Sequence, residues 1–371
     1  MKIAMFGHKR IPSREGGVEI VAEELSVRMA ALGHQVTCYN RGGHHVSGAE
    51  FDAGSMGSYK GVRLKRVPTL DKKGLAAVTA SFFAAVAAAL SAAETVHIHA
   101  EGPAFFCWLP KLFGKRVVVT VHGLDWQREK WKQGFGARFI REGEKLAVRF
   151  ADRIIVLSRN VQDYFRDTYG RETVWIPNGV TRPESMAADR IRREFHLEKD
   201  GYILFLGRLV PEKGIHYLLE AYQKVKTEKK LVIAGGTSDT DGYVARLKEM
   251  AGENENILFT GFVQGQLLAE LYSNAWLYVL PSDVEGMPLS LLEAMSYGNC
   301  CVVSDIPECA EVVEDKAFVF PRGDVAELAG LLEKLCGDRE AVARKRADAA
   351  DFICGKYSWD CVTEKTLELY Q

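Results

Sequence analysis

Apolar and polar residues follow a regular order along the first half of the chain. Short runs of bulky apolar residues are typical of buried parallel strands, and longer stretches with apolar residues at helical spacing predict helices. The short runs predict strands at 2–7, 34–39, 95–99, 116–121 and 153–157. The longer stretches predict helices at 17–32, 75–93, 103–113 and 136–150. This alternation predicts an α/β fold with a parallel sheet covered by helices on both faces.

The second half of the chain repeats the alternation. It predicts strands at 202–206, 230–234, 257–260, 276–280 and 300–303, and helices at 214–226, 241–251 and 265–273, with a fourth that starts near Pro288 and ends near Gly298. Two similar halves in 371 residues predict two Rossmann-like domains, because a chain of this length exceeds one ordinary core. Prolines and a glycine interrupt the pattern between Pro177 and Glu198, which places the linker there.

Two glutamates in the segment 276–305 have unusual surroundings. Glu285 lies in the loop at the carboxyl end of a predicted strand, and Glu293 lies in the following helix among apolar neighbours. A carboxylate is costly to bury unless it accepts hydrogen bonds, which the two hydroxyls of a nucleotide ribose could donate. The alternative is that Glu293 is an ordinary residue of the helix surface, since glutamate is rarely buried.

Glycines and cations occur at two strand-to-helix turns that could hold an anion. Gly16 and Gly17 precede a predicted helix, so backbone N–H groups there could approach a diphosphate closely, although glycines are also common in ordinary flexible loops. Arg208 and Lys213 follow the predicted strand 202–206. The guanidinium fork and the ammonium could clamp phosphate oxygens, and the alternative is a pair of solvated surface cations.

Histidines and aspartates supply three weaker candidates. His122 follows a predicted strand and precedes a glycine, a position where a functional and a structural role are both open. His97 and His99 lie on one face of a strand, but no carboxylate or thiol stands at a companion spacing, so a metal site is not favoured. Asp239 and Asp241 form a D-x-D that could hold a divalent ion, whereas their place before a helix favours capping. We therefore predict no metal site.

The segment 285–288 reads E-G-M-P and is followed by Glu293. This pattern resembles the E-x7-E signature of retaining, nucleotide-sugar-dependent glycosyltransferases of the GT-B type, family 4. The block from His97 to Ser158 looks like bacterial enzymes of this kind that build cell-surface polysaccharides. The resemblance implies that Glu285 lies near the donor sugar and that Glu293 binds the ribose. The stretch 207–214 is similar to the G-R-x-x-x-x-K-G element of that family, whose Arg and Lys hold the donor diphosphate.

Three shorter stretches extend the resemblance over nearly the whole chain, and residues 42–73 are the least assignable part. Residues 120–125 match an element that implies a place for His122 beside the donor sugar and the acceptor. Residues 176–180 match the P-N-G-V element near the hinge, and residues 260–263 match the loop that lines the base. The donor-binding residues implied by the resemblance are Gly16, Gly17, Asn178, Arg208, Lys213, Gly261, Phe262, Val263, Glu285, Gly286, Met287, Pro288, Leu289 and Glu293. The catalytic residues it implies are His122, Glu285, Arg208 and Lys213.

The resemblance implies a GT-B fold, in which two Rossmann-like domains face each other across a cleft. An acceptor-side domain is expected at 1–180, with a final helix at about 357–371 that packs back on it, and a nucleotide-sugar-binding domain at 181–356. The implied reaction moves a sugar from a UDP-, dTDP- or GDP-sugar to a hydroxyl of a glycan or lipid-linked acceptor, with retention and without a metal or cofactor. No nucleic-acid partner is expected. A sugar-nucleotide epimerase or phosphorylase of the GT-B type, and a non-catalytic sugar-nucleotide-binding protein, stay open as alternatives.

Composition narrows the class of protein. Hydrophobic residues make up 47% of the chain and charged residues 26%, as in globular proteins. The eight cysteines form no C-x-x-C pair and no secretory signal core precedes the first predicted strand, so a reducing cytoplasm is expected. No G-x-G-x-x-G follows a strand, which counts against an NAD- or FAD-dependent oxidoreductase. The alanine-rich stretch 74–93 reaches spanning length but leads directly into a strand, which predicts a buried crossover helix.

The two halves of the chain carry opposite net charges. Residues 1–180 contain 26 Lys and Arg against 17 Asp and Glu, a net of +9, and the other residues contain 22 against 32, a net of −10. The basic excess includes residues 128–132 and the predicted helix around 138–149, where aromatic residues alternate with cations. This pattern predicts that the first domain docks peripherally on the anionic cytoplasmic face of the membrane to reach a lipid-linked acceptor. The competing interpretation is that this helix packs into its domain.

Overall fold

The computed structural model of the protein describes residues 1–43, 57–72, 74–127, 135–237 and 240–371. The described chain forms two compact units, each built on one β sheet. Unit 1 comprises Met1–Asn178 together with Trp359–Gln371, and unit 2 comprises Gly179–Ser358. The family resemblance implied limits after residue 180 and near residue 357.

The described part of unit 1 contains an eight-stranded sheet. Its elements in chain order are β1 (Lys2–Phe6), α1 (Gly17–Ala31), β2 (Gln35–Arg41), β3 (Ser58–Tyr59), β4 (Val62–Val67), α2 (Leu75–Leu90), β5 (Thr95–His99), α3 (Glu101–Ala104), α4 (Trp108–Leu112), β6 (Arg116–Val121), α5 (Phe135–Phe150), β7 (Arg153–Val156), α6 (Arg159–Tyr169) and β8 (Val174–Trp175). The strand order is β3-β4-β2-β1-β5-β6-β7-β8. Every neighbouring pair is parallel except β3 and β4, which are antiparallel.

The central strands of unit 1 are buried on both sides, as expected for a parallel sheet that helices cover. Ile3, Val96 and Val119 are examples of strand residues with almost no exposed surface. β1, β5 and β6 are parallel neighbours, with Phe6 opposite Ile98. The residues that follow these three strands therefore meet at one edge of the sheet, where ligands bind in folds of this kind.

Unit 2 is built in the same way, with a six-stranded sheet in its described residues. Its elements are α7 (Arg190–Phe195), β9 (Tyr202–Leu206), α8 (Ile215–Tyr222), β10 (Lys230–Ala234), α9 (Asp241–Ala251), β11 (Ile257–Gly261), α10 (Gly265–Asn274), β12 (Leu277–Leu280), α11 (Leu289–Ser296), β13 (Cys301–Ser304), α12 (Pro307–Val313), β14 (Phe318–Phe320), α13 (Val325–Gly337), α14 (Arg339–Ala347) and α15 (Ala349–Lys356). The strand order is β11-β10-β9-β12-β13-β14, and all neighbouring pairs are parallel.

The last helix, α16 (Trp359–Glu368), belongs to unit 1. It packs against α1, where the Arg28 guanidinium lies 2.9 Å from the Asp360 carboxylate. Tyr370, just beyond the helix, is buried in the same unit. Residues 359–371 thus add a further helix to those of unit 1.

Several features of unit 1 differ from the predicted elements, among them helix α6 and strand β8, which were not predicted. No strands were predicted at 58–67, because β4 mixes exposed charged residues with buried apolar ones over only six positions. The antiparallel pairing of β4 with β3 makes the sheet mixed. The helix predicted at 103–113 is two short helices, α3 and α4. Pro110 has no N–H to donate to the carbonyl of Phe106, which accepts from the N–H of Leu109 at 3.1 Å instead.

Helix α5 packs its apolar side into unit 1. The ring of Phe139 stacks on that of Phe105, with centroids 4.6 Å apart, and Leu146 and Phe150 pack against the same core. Phe139 and Phe150 therefore contribute to the core of unit 1, as the competing interpretation expects, and docking of the first domain on a membrane stays a prediction. The basic residues 128–132 lie outside the described residues.

Helix α2 occupies the predicted crossover position, because it connects β4 to β5. Ala76, Ala80 and Ala84 are among its buried residues. Across the stretches of chain that the structure describes, no helix combines the length and the apolar character needed to cross a membrane.

Candidate functional site

Two loops at the carboxyl edge of the unit 2 sheet meet at a buried ion pair. β9 and β12 are parallel neighbours, so the loops that follow them start at the same edge. Lys213, after β9, places its Nζ 2.5 Å from Oε1 of Glu285, after β12. Their side chains are only 12% and 8% exposed. The Ser282 hydroxyl donates to the same Glu285 oxygen at 2.7 Å.

Gly214 allows these two loops to approach each other. Its φ of +65° lies in the left-handed region, and a Cβ at this position would lie 1.9 Å from the carbonyl oxygen of Pro281. The N–H of Asp283 donates to the carbonyl of Glu212 at 2.8 Å, which ties the loops together a second time. The glycine therefore permits the close contact that holds the ion pair.

The ion pair presents a cation in a fixed position. An ammonium carries three donors, so Lys213 can bind Glu285 and a ligand oxygen at the same time. Removal of either partner is costly, because the other charge would be left buried and uncompensated. Arg208, the second predicted cation, lies in the same loop and is half-buried. The loop after β9 thus brings together both residues predicted to clamp phosphate.

Helix α11 carries the second predicted carboxylate. Leu292 and Ala294 on this helix are fully buried, whereas Glu293 between them is half-buried. The Tyr272 hydroxyl lies 3.2 Å from Oε2 of Glu293. The sequence had suggested a carboxylate covered on most sides, but α11 turns its apolar residues into the core and leaves Glu293 partly accessible. Such a carboxylate can accept hydrogen bonds from the hydroxyls of a ligand.

The loop predicted to line a base adjoins the loop of the predicted cations. β9, β10 and β11 are consecutive in the sheet. Leu209 donates its N–H to the carbonyl of Gly236 at 3.0 Å, and Gly235 donates to the carbonyl of Gly261 at 2.9 Å. Val263 in this loop is buried. Gly286, Met287 and Pro288 connect Glu285 to α11 and are buried. Leu289, the first residue of α11, is buried as well.

The start of helix α1 in unit 1 already carries a carboxylate. A Cβ on Gly16 would lie 2.5 Å from Oε2 of Glu19, a buried residue in the first helical turn. Oε1 of Glu19 accepts the N–H of Lys9 at 2.8 Å. An acidic side chain in this position complements the helix dipole and repels a second anion. The diphosphate contact predicted at Gly16 and Gly17 stays a prediction, and an anion there would lie near the Glu19 carboxylate.

His122 belongs to a buried cluster of histidines at the carboxyl edge of the unit 1 sheet. Its Nε2 lies 3.1 Å from Nδ1 of His99, which stacks on His97 with centroids 4.3 Å apart. His97 is hydrogen-bonded to the hydroxyls of Tyr370 at 2.6 Å and Thr120 at 2.7 Å. Burial lowers the pKa of His97 to about 3 and that of His99 well below its ordinary value. Both imidazoles are therefore neutral at neutral pH.

The D-x-D at 239–241 could hold a divalent ion, but its place before a predicted helix favours capping. Asp241 is the first residue of α9, and Asp239 lies outside the described residues. In the part of the chain that is described, no group of three or more His, Cys, Asp or Glu is arranged to hold a metal ion.

Asn178, a predicted donor residue, is buried at the end of the first segment of unit 1.

Two buried glutamates beneath the His122 loop were not predicted. Oε2 of Glu101 accepts the N–H of Asp125 at 2.9 Å, three residues after His122. Oε1 of Glu144 accepts the hydroxyls of Tyr164, at 2.9 Å, and of Tyr169. Both glutamates are fully buried. They form an acidic network that supports the loop carrying His122.

Burial, followed by the hydrogen bond to Glu144, raises the pKa of Glu101 well above its ordinary value. Burial therefore favours the protonated form of Glu101, while Glu144 accepts hydrogen bonds. A Cβ on Gly143 would lie 2.1 Å from the carbonyl oxygen of Glu101, so α3 and α5 pack backbone against backbone. The glycine in the middle of α5 was the one signal in the sequence for this contact.

Comparison with known proteins extends the argument to the family. The family model described as Glycosyltransferase Family 4 matches residues 15–182, and the model described as Glycosyl transferases group 1 matches residues 188–351. O-antigen chain mannosyltransferase B of Escherichia coli is 34% identical over 189 residues, which span 49% of this chain and 48%, about half, of that protein. Alpha-D-kanosaminyltransferase of Streptomyces kanamyceticus is 26% identical over 301 residues, which span 74% of this chain and 76% of that protein.

A solved structure shares the fold over nearly the whole length. HepE of Anabaena, in complex with UDP-glucose, matches with a TM-score of 0.80 at 17% identity, and the match covers 99% of this chain and 98% of that one. The two family models cover most of unit 1 and most of unit 2, respectively. The family and the fold that the E-x7-E and G-R-x-x-x-x-K-G patterns implied are confirmed. The chain belongs to the group 1 and family 4 glycosyltransferases and has the GT-B fold.

Proposed function

We propose that this chain transfers a sugar from a nucleoside-diphosphate sugar to a hydroxyl group, with retention of the anomeric configuration and without a metal ion. The observation that carries the proposal is the buried Lys213–Glu285 pair, in the loop that also carries Arg208. Cations held at the carboxyl edge of a parallel sheet are well placed to bind a diphosphate. The UDP-glucose bound in the Anabaena structure supports the same donor class, and the names of the two relatives support sugar transfer.

In this proposal Arg208 and Lys213 hold the diphosphate of a UDP-, dTDP- or GDP-sugar, and no cofactor takes part. Negative charge grows on the diphosphate as the glycosidic bond lengthens, and each cation held in position in advance stabilises the transition state by about 3 kcal/mol. Glu285 fixes the ammonium of Lys213 in that position. The half-buried carboxylate of Glu293 accepts the ribose hydroxyls, and residues 261–263 line the base.

Glu285 is poorly suited to be the nucleophile of a double displacement. Its Oε1 is engaged by Lys213 and by the hydroxyl of Ser282, which reduces its nucleophilicity. We assign it the position next to the donor sugar, where it orients Lys213. The incoming hydroxyl then attacks on the face from which the diphosphate departs, and a phosphate oxygen takes its proton. His122 is the proposed contributor of unit 1 on the acceptor side.

The proposed acceptor is a growing cell-surface glycan or a lipid-linked sugar on the inner face of the cytoplasmic membrane. The name of the E. coli relative, an O-antigen chain mannosyltransferase, supports a glycan of this kind. The net charge of +9 on residues 1–180 favours approach to anionic lipid. A lipid-linked acceptor requires that the protein reach a membrane surface.

A thermal-shift series with UDP, dTDP, GDP and their sugars tests the proposal. A ligand that binds only the folded state stabilises it by about 2.7 kcal/mol at 100 times its Kd, so one nucleotide should raise Tm clearly. Arg208→Ala should abolish the shift, and Arg344→Ala, which changes an exposed arginine of the same unit, should retain it. No shift with any nucleotide would contradict the proposed donor. Transfer that stops in EDTA and returns with Mn²⁺ would contradict metal independence.

A further inference from the structure

Helix α2 of unit 1 turns its large apolar side chains outward. The residues that it buries are small: Ala76, Ala80, Ser81, Ala84, Ala85, Ala88 and Ala89. The opposite side carries Leu75, Phe82, Phe83 and Leu90, which are 47%, 41%, 40% and 69% exposed. A helix that served only its own core would turn the larger residues inward, because burial of apolar area drives folding. The outward side of α2 is therefore suited to contact with an apolar or interfacial partner.

The exposed side of α2 continues onto the end of α4, which packs against it. The ring of Phe82 meets that of Phe106, just before α4, edge to face at 5.6 Å. The Lys115 ammonium donates to the carbonyl of Ser91, at the end of α2, at 2.8 Å. The α2–α4 patch consists of Leu75, Phe82, Phe83 and Leu90 together with Leu112 and Phe113, which are 73% and 56% exposed. Large exposed apolar residues grouped on two packed helices are typical of an interaction site.

Charge distinguishes a membrane from a second copy of the chain as the partner. Residues 1–180 carry a net charge of +9, so two copies that met through this surface would bring like charges together, whereas anionic lipid would attract it. Helix α2 contains no charged residue. Charged residues stand at its edges: Lys72 is exposed beside Asp71, and Lys111 is paired with Asp152 at 2.5 Å.

Shape supports the same choice. The exposed side runs along all of α2, which is about 24 Å long, and it is the convex surface of a helix. A helix with this distribution can lie in the plane of a bilayer interface, with its apolar side buried about 5–10 Å into the boundary between headgroups and acyl chains. It needs no spanning segment to do so.

We infer that the α2–α4 patch is the surface by which unit 1 docks on an anionic membrane. The inference rests on the proposed lipid-linked acceptor and assigns the docking to α2 and α4 in place of α5. Large apolar residues enter the interface, and the net positive charge of the unit adds long-range attraction to the lipid headgroups.

Co-sedimentation of the full chain with phosphatidylcholine vesicles containing about 30 mol% phosphatidylglycerol tests this surface. Wild type should bind these vesicles at low salt, and binding should fall as salt rises. Leu90→Ser combined with Leu112→Ser should lower the partition coefficient about tenfold or more, because two large apolar contacts are lost. Leu32→Ser is the matched control, since Leu32 is a leucine after α1, 60% exposed and outside the patch, and it should bind like wild type.

Equal binding of the double variant and wild type would overturn the inference, as would no binding of wild type at low salt. A dimer in solution that the double variant dissociates would assign the patch to a second copy and would also overturn it. The nucleotide thermal shift separates this inference from the proposed function, because the double variant should retain the wild-type shift. If wild type shows no thermal shift with any nucleotide, the proposed donor is wrong, whatever the result of the vesicle experiment.

Discussion

At the scale of single residues, the candidate donor site depends on one buried charge pair. Lys213 and Glu285 neutralise each other, and a diphosphate that binds Lys213 adds a second acceptor to a cation that is already oriented. Removal of one partner leaves the other charge in a poorly solvated place, at a cost of about 3–5 kcal/mol. Arg208 has a different position in the loop and is half-buried. The two cations should therefore respond differently to substitution.

Arg208→Ala should lower kcat by about 10²–10³, because Arg208 is proposed to hold the diphosphate on which negative charge develops. Lys213→Ala should lower kcat similarly and should also lower Tm, because Glu285 loses its counterion. Steady-state kinetics and calorimetry measure the two effects, with Lys248→Ala, an exposed lysine of α9, as the control. Near-normal kcat in both folded variants would place the diphosphate elsewhere.

The second residue-scale feature is the raised pKa of the buried Glu101. Glu101 has a raised pKa in the folded state, so the folded protein keeps a proton that the unfolded chain releases above its ordinary pKa of 4.5. The stabilisation from this group is complete below that value and is lost as pH rises toward the folded pKa. Glutamine at the same position is neutral at every pH.

The Tm of wild type should therefore fall relative to that of Glu101→Gln as pH rises from about 4 to 8. The glutamine side-chain oxygen can accept from the N–H of Asp125, so the variant should fold. Differential scanning calorimetry across this pH range measures the difference. Glu142→Gln is the matched control, because Glu142 is an exposed neighbour on α5, and its Tm difference from wild type should stay nearly flat. A difference for Glu101→Gln that does not change with pH would rule out the retained proton.

At the scale of elements, the close approach of two loops at the carboxyl ends of β9 and β12 builds the site. Gly214 makes this approach possible, because its backbone has a positive φ and lies against the carbonyl of Pro281. The loops are short and are tied to each other by backbone hydrogen bonds. A change at this one position should therefore affect both stability and the geometry of the ion pair.

Gly214→Ala should destabilise unit 2 by more than about 2 kcal/mol, since an L-residue is strained at this φ and its Cβ would collide with backbone. Gly242→Ala is the control, because Gly242 lies inside α9 and a Cβ added there would meet no other atom closely. Alanine at this position should be neutral or should stabilise the fold by up to about 1 kcal/mol. Urea unfolding compares the two variants. Equal midpoints would show that the loops tolerate separation at this point.

Two helices show why a pattern along the chain does not reveal which side of an element is outside. Helix α5 has a strongly amphipathic sequence whose aromatic residues suggested a membrane interface, yet Phe139 stacks on Phe105 inside unit 1. Helix α2, which the sequence marked as a buried crossover, exposes Phe82, Phe83 and Leu90. Periodicity gives the angular spread of apolar residues, but the neighbours in the fold decide which part of that spread is covered.

At the scale of the whole molecule, alternation of strands and helices was enough to predict two Rossmann-like units. Local runs of apolar residues mark each central strand, and parallel sheets need strands of that kind because helices cover both faces. The order of the strands was not predictable in the same way. The order β3-β4-β2-β1-β5-β6-β7-β8 depends on contacts between segments far apart in the chain.

The sequence by itself determined the class of fold, the family and the loops that carry Arg208, Lys213 and Glu285, because each of these depends on residue types at short, fixed spacing. Only the tertiary structure decided that Lys213 pairs with Glu285, 72 positions away, and that His97 meets Tyr370, 273 positions away. It also decided that the Glu19 carboxylate lies against Gly16 and that α2 turns its large apolar residues outward. The physical reason is that burial and charge pairing depend on neighbours in space, which no short stretch of sequence specifies.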